Sequence, residues 1–129
     1  MNATRGLIIF AHGSRDARWR EPVEAVAARA AALDSGLLVR CAYLEIVAPD
    51  LPSAASELIA LGAVSIGVLP LFLGIGKHLR EDLPHLVGAV RTAHPDVRIE
   101  LRPAIGEEPE VIELLARLAL KQGTATRRP

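Results

Sequence analysis

Two histidines and a glutamate are the residues of this 129-residue chain best placed by type to do chemistry. His12 closes the stretch "GLIIFAH". His78 lies in "LFLGIGKHLRED", where an apolar run breaks at Gly74 and Gly76 and then delivers Lys77, His78, Arg80, Glu81 and Asp82 within six positions; Glu45 ends "LLVRCAYLE". Imidazole nitrogens about 2.1 Å from an ion, assisted by a carboxylate, hold a late first-row divalent metal and leave coordination positions open. A carboxylate, or an imidazole of ordinary pKa ~6.5, can also accept a proton near neutrality. Taken singly, each has a plainer use. A loop histidine more often caps or faces water, a glutamate can cap a helix, and Gly74 and Gly76 can be turn residues that permit positive φ. His85, within a helical pattern, and His94, before Pro95 at a helix exit, stay in that plainer class. The case for the other three rests on where the chain puts them.

The elements that must position them are readable from apolar spacing. Residues 6–11 form a short continuous apolar run bounded by charge, the pattern of a strand covered on both faces. Trp19, Val23, Val26, Ala30 and Leu33 then repeat at steps of four and three, so a helix follows, with Pro22 tolerated in its first turns. A second strand is predicted over 37–44. Asp50 is the N-cap of the next helix, whose inner face carries Leu51, Ala55, Leu58 and Leu61 and whose stop is Gly62. Residues 64–73 are the most apolar strand and so a central one. Leu83, Leu86, Val87 and Val90 give a third helix, with Pro84 pointing to a regular start near Asp82 and Glu81 and Asp82 then serving as charges favourable to its N-terminal dipole. A fourth strand at 97–101 and a fourth helix, opened by Pro109 and carrying Val111, Leu114, Leu115 and Leu118, complete the pattern.

Strict alternation of strand and helix predicts an α/β fold of three layers, a four-stranded parallel sheet flanked by helices, as one domain over 1–120 with a flexible tail at 121–129. Ligands of such sheets sit beyond the C-terminal strand ends. With strand order 2-1-3-4, His12 and His78 leave adjacent strands ~4.8 Å apart and Glu45 emerges on the same rim.

Composition removes several classes of function. Fifteen basic and fifteen acidic residues cancel, and four aromatics (Phe10, Trp19, Tyr43, Phe72) offer little for stacking bases, so no nucleic-acid partner is expected. The single cysteine, Cys41, rules out an internal disulfide or a paired-cysteine zinc site and suits a reducing cytoplasm. Residues 63–76 carry Pro70 and fall short of the roughly 20 residues that span a bilayer, and the N-terminal apolar stretch is a poor signal peptide, so no membrane partner is expected. "GIGKH" is no phosphate-binding loop, because no Ser or Thr follows Lys77. Ser14 lacks the flanking glycine pair of a nucleophile elbow. A phosphate-handling hydrolase using His12 is disfavoured by Ala11, where phosphohistidine phosphatases carry an arginine.

"HGSRD" at 12–16, "YLEIVAPDL" at 43–51, "PLFLGIGKHLREDLP" at 70–84 and "PAIG" at 103–106, in that order and spacing, resemble the small single-domain sirohydrochlorin chelatases of the cobalamin and sirohaem pathways, over about Gly6 to Leu118. The resemblance implies a lyase that inserts divalent cobalt or iron, or nickel, into sirohydrochlorin, with the metal as substrate and no further cofactor. It implies that His12 and His78 bind the metal and that Glu45 is the acidic residue of the site. Two-domain chelatases resemble two such domains in one chain, so a homodimer is implied here. A polycarboxylate macrocycle calls for cations and N–H donors around an apolar floor. Arg15, Arg18, Lys77 and Arg80 cluster beside the ligand candidates, backbone N–H groups of Gly13, Ser14 and Gly76 can add anion contacts, and Gly74 and Gly76 leave room for a flat ring. The alternative is a metal or tetrapyrrole carrier that uses the same pocket without turnover.

Overall fold

The computed structural model describes residues 3–121. Four strands, β1 (Thr4–Ala11), β2 (Leu37–Tyr43), β3 (Ala63–Pro70) and β4 (Arg98–Leu101), alternate with helices α1 (Ala17–Leu33), α2 (Leu51–Ala60), α3 (Lys77–Ala93) and α4 (Pro109–Leu120), with a 3-10 turn at Ile105–Glu107 before the last. All strand pairs are parallel, in the order β2-β1-β3-β4. The sheet is therefore the expected α/β one, and β1, the strand that carries His12, lies inside it. Lys121 is the C-cap of α4, and the rest of the expected tail lies outside the described residues.

Alternation along β1 makes both faces apolar. Ile8 and Phe10 pack with Ile66, Val68 and Ile99 beneath Leu51, Ala54, Ala55 and Leu58 of α2 and Leu83, Val87 and Val90 of α3. Ile9 and Ala11 turn the other way, against Val23 of α1, Tyr43 and Leu69. Both clusters underlie the C-terminal half of β1, so its end is held from above and below. No buried charged or polar residue interrupts either cluster among the described residues.

Helix ends follow the chemistry of their caps. Asp16 accepts the Arg18 N–H at 2.9 Å and opens α1; Asp50 accepts the Ser53 N–H at 2.9 Å and opens α2 as expected. Hydrogen bonds from Ser53 hold the Asp50 carboxyl below its ordinary range. Gly62, at φ 107°, ends α2 in the left-handed region that glycine occupies without strain.

Four expectations are corrected. The third strand stops at Pro70, not Leu73, and α3 begins at Lys77, five residues before Asp82. Pro84 sits inside α3, where its missing N–H costs the bond to the carbonyl of Arg80, a residue on the exposed side of the helix. Glu81 and Asp82 consequently fall beyond the first turn and do not face the N-terminal dipole. The apolar stripes of α1 and α4 are only partly covered: in α1, Val23 is buried while Val26 and Leu33 are exposed, and in α4 no residue is buried, with Leu114, Leu115 and Leu118 all exposed.

Candidate functional site

The exits of β1 and β2 continue side by side past the strands themselves. The Leu44 N–H donates to the Ala11 carbonyl at 2.9 Å and the Glu45 N–H to the His12 carbonyl at 3.1 Å, two loop hydrogen bonds just past the last ladder pair, Ala11 with Tyr43. Those bonds fix His12 and Glu45 as neighbours, and Nε2 of His12 lies 3.0 Å from Oε2 of Glu45. Both side chains remain about half exposed. Two donor atoms each about 2.1 Å from an ion, in adjacent octahedral positions, stand about 3.0 Å apart. The contact is of ordinary hydrogen-bond length, and the same spacing would serve as one edge of such a coordination shell.

Gly13 makes this approach possible. It is buried at φ 113°, and a Cβ there would overlap the Glu45 carbonyl oxygen. A side chain would therefore be strained in its own backbone and would push the two exits apart. The remainder of the β1–α1 loop is tied within itself: the Asp16 N–H donates to the Ser14 hydroxyl at 3.0 Å, and Arg20 Nη1 donates to the Ser14 carbonyl at 2.9 Å. Ser14 Oγ thus serves the loop, and the contact expected of Ser14 is through its backbone N–H.

After Glu45 the chain makes a strained reversal. Ile46 has φ 77°, and the Val47 N–H donates to the Glu45 carbonyl at 2.9 Å, which together form a γ-turn of the rarer positive-φ kind. A β-branched residue is a costly occupant of that region.

His78 is exposed in the first turn of α3, at the same end of the sheet. It stands apart from the His12–Glu45 pair. Among the described residues no three His, Cys, Asp or Glu side chains are gathered closely enough to hold an ion, so the convergence expected of all three is met by two. Gly76 is the N-cap of α3 with φ −69°, and neither it nor Gly74 has positive φ; a Cβ at either would meet nothing within 4 Å. Both glycines therefore border open space and are not required by a turn. Arg15, Arg18, Lys77 and Arg80 are exposed around the same rim, and α3 presents the unpaired N–H groups of its first turn there. His94 lies 3.4 Å from the Ser56 hydroxyl across α2 and α3, and His85 is exposed on α3, in keeping with their plainer reading.

Two features of the site were not visible in the residue pattern, and a third was marked only by its residue type. Arg20 as a brace of the first loop and Ile46 at positive φ leave no local signature, since arginine and isoleucine suit a helix and a strand equally well at those places. Gly106 of "PAIG" donates its N–H to the Phe72 carbonyl at 2.9 Å and packs so tightly that a Cβ would overlap the Leu73 backbone. Its signal was the glycine itself.

The sequence and the fold both have matches among known proteins. The CbiX family model matches residues 6–121. A sirohydrochlorin cobaltochelatase of Saccharolobus solfataricus is 30% identical, with 87% of this chain aligned to 91% of that protein. A crystal structure of a cobalamin (vitamin B12) biosynthesis CbiX protein from Marinobacter aquaeolei VT8 superposes with a TM-score of 0.78 at 31% identity, covering 91% of this chain and 95% of that one. SirB from Bacillus subtilis, solved with Fe3+, gives a TM-score of 0.77 at 25% identity; the match covers 93% of this chain but 48% of SirB, so this chain spans about half of that protein. The sheet order, the full-length alignment and the family match agree, and the chain belongs to the CbiX family.

Proposed function

We propose that this protein is a sirohydrochlorin chelatase, inserting divalent cobalt or iron into the macrocycle. The observation that carries the reading is the His12–Glu45 pair at 3.0 Å on the rim beyond the parallel strands, in a chain whose CbiX-family relative from Saccharolobus solfataricus is a sirohydrochlorin cobaltochelatase. Insertion exchanges two pyrrole N–H protons for one divalent cation. A site for this must hold the metal loosely and receive protons. The edge formed by His12 and Glu45 suits both needs: each donor atom can coordinate the ion, and each is a base once the ion has moved to the ring. We assign His78 the second imidazole, meeting the metal from the start of α3 when the ring occupies the rim. Lys77, Arg80, Arg15 and Arg18, with the N–H groups of the first turn of α3, face the carboxylates of the macrocycle. Imidazole and carboxylate donors follow the usual affinity order and accept nickel as well, so the choice between metals is made by supply and pathway.

A second copy of the chain completes the cleft in this reading. Its support is the half-length match to SirB together with uncovered apolar surface: Leu114 and Leu118 of α4 are 55% and 50% exposed, and Val26, Ala30 and Leu33 of α1 line an open hollow. Among the described residues no helix is long and apolar enough to cross a membrane, and with one cysteine and a cofactor-building reaction the cytoplasm is the expected compartment. The test is turnover. At protein well below the concentration of sirohydrochlorin and Co2+ or Fe2+, absorbance should report many equivalents of metallated product per chain. Stoichiometric binding with no further product would instead identify a carrier.

A further inference from the structure

We infer that Ile46 and Leu73 are the apolar jaws that grip the faces of the macrocycle, an assignment that rests on the chelatase reading. Both are large aliphatic side chains held out into solvent beside the site, at 51% and 69% exposure. Ile46 follows β2 and Leu73 follows β3, and β1, which delivers His12, runs between those two strands. Two strand spacings separate their carriers, about 10 Å, enough for a flat ring to stand between two aliphatic side chains with one against each face. Each projects from backbone that is fixed. Ile46 is pinned by the positive-φ γ-turn that follows directly on Glu45, whose own N–H is bonded to the His12 carbonyl. Leu73 is clasped from behind by Gly106, whose N–H bonds the preceding carbonyl and whose missing side chain lets the Leu73 backbone lie against it.

The pairing of exposure with rigidity is what separates these residues from ordinary surface aliphatics. A β-branched residue at φ 77° is disfavoured where glycine or asparagine would sit without strain, so the isoleucine side chain is present in spite of local backbone preference. Gly74 and Gly76 beside Leu73 border open space, which leaves the ring free to slide between the jaws toward the metal edge. The cations of the rim can hold carboxylates at the macrocycle periphery, but they do not offer its apolar faces a surface. Ile46 and Leu73 do.

Three variants test the assignment in the full chain: Ile46→Asn, which accepts the left-handed backbone but removes the apolar side chain; Ile46→Val, which keeps both strain and apolar contact; and Leu73→Ala. Sirohydrochlorin affinity is read by absorbance titration, Co2+ binding without the macrocycle by its d–d spectrum, and mass by light scattering. Removing the buried aliphatic contact should weaken sirohydrochlorin binding about tenfold in Ile46→Asn and in Leu73→Ala. Ile46→Val should stay within about threefold of the parent, and the Co2+ spectrum and mass should not change. Unaltered sirohydrochlorin affinity in Ile46→Asn and Leu73→Ala, with the parent turning over, would overturn the jaws and leave the chelatase standing. Weakened affinity that tracks loss of dimer mass would also overturn them, since the two side chains would then be holding a second copy. A parent chain that binds no sirohydrochlorin would remove both readings together.

Discussion

Tyr43 ends β2 two residues before Glu45 and is 4% exposed. Burial pushes its phenol up to about 12, and the neighbouring Cys41 thiol adds to the rise. The unfolded chain ionises tyrosine near ~10, so the contribution of Tyr43 to stability is whole below that pH and is lost as pH rises through about 12. It is the only tyrosine, so tyrosinate absorbance reads it directly. The native protein should titrate near about 12 and the denatured protein near ~10; a native midpoint at ~10 would contradict the packing of β2 against α1. Among single residues, His12 and Glu45 were legible because a parallel strand delivers whatever follows it to a common rim. Ile46 was not. Nothing about an isoleucine in "YLEIVAPDL" announces positive φ, which arises only when the β2 exit is held against the β1 exit and must reverse at once.

The loops that join strands to helices are where sequence and structure diverge most. Order, direction and number of the strands were readable because continuous apolar runs alternated with helical spacing, and the caps at Asp50 and Gly62 fell where their chemistry demands. The start of α3 was misread because Pro84 resembles a first-turn proline, whereas the helix absorbs it on an exposed side and so carries His78 within its first turn. The uncovered face of α4 was equally hidden, since a period of 3.6 shows that one side of a helix is apolar but not what covers it. Gly13 binds two of these loops together. Gly13→Ala places a methyl on the Glu45 carbonyl at a backbone angle that alanine avoids, and should cost about 2 kcal/mol of stability in urea unfolding, with loss of metal insertion as the His12–Glu45 spacing opens. Full stability and full activity in that variant would mean that the exits are not held in the register described.

For the whole molecule, the open apolar surface is the property with the largest consequence. Leu114 and Leu118 lie one turn apart on α4, and placing a charge on each as Leu114→Glu with Leu118→Glu should halve the mass seen by light scattering and lower the rate of metal insertion, while circular dichroism keeps its α/β form. A parent chain that already scatters as a single copy would show that one lobe suffices. Family membership fixes what kind of catalyst is sought, and the rim of the sheet is where we propose that it acts. The initial rate of Co2+ insertion into sirohydrochlorin, at substoichiometric protein, by the parent and by His12→Ala, Glu45→Gln and His78→Ala decides whether these three groups do the work. Each variant should remain folded and lose at least about a hundredfold in rate, the scale of a removed acid–base or ligand group. A folded His78→Ala or His12→Ala that inserts metal at the parent rate would contradict the site.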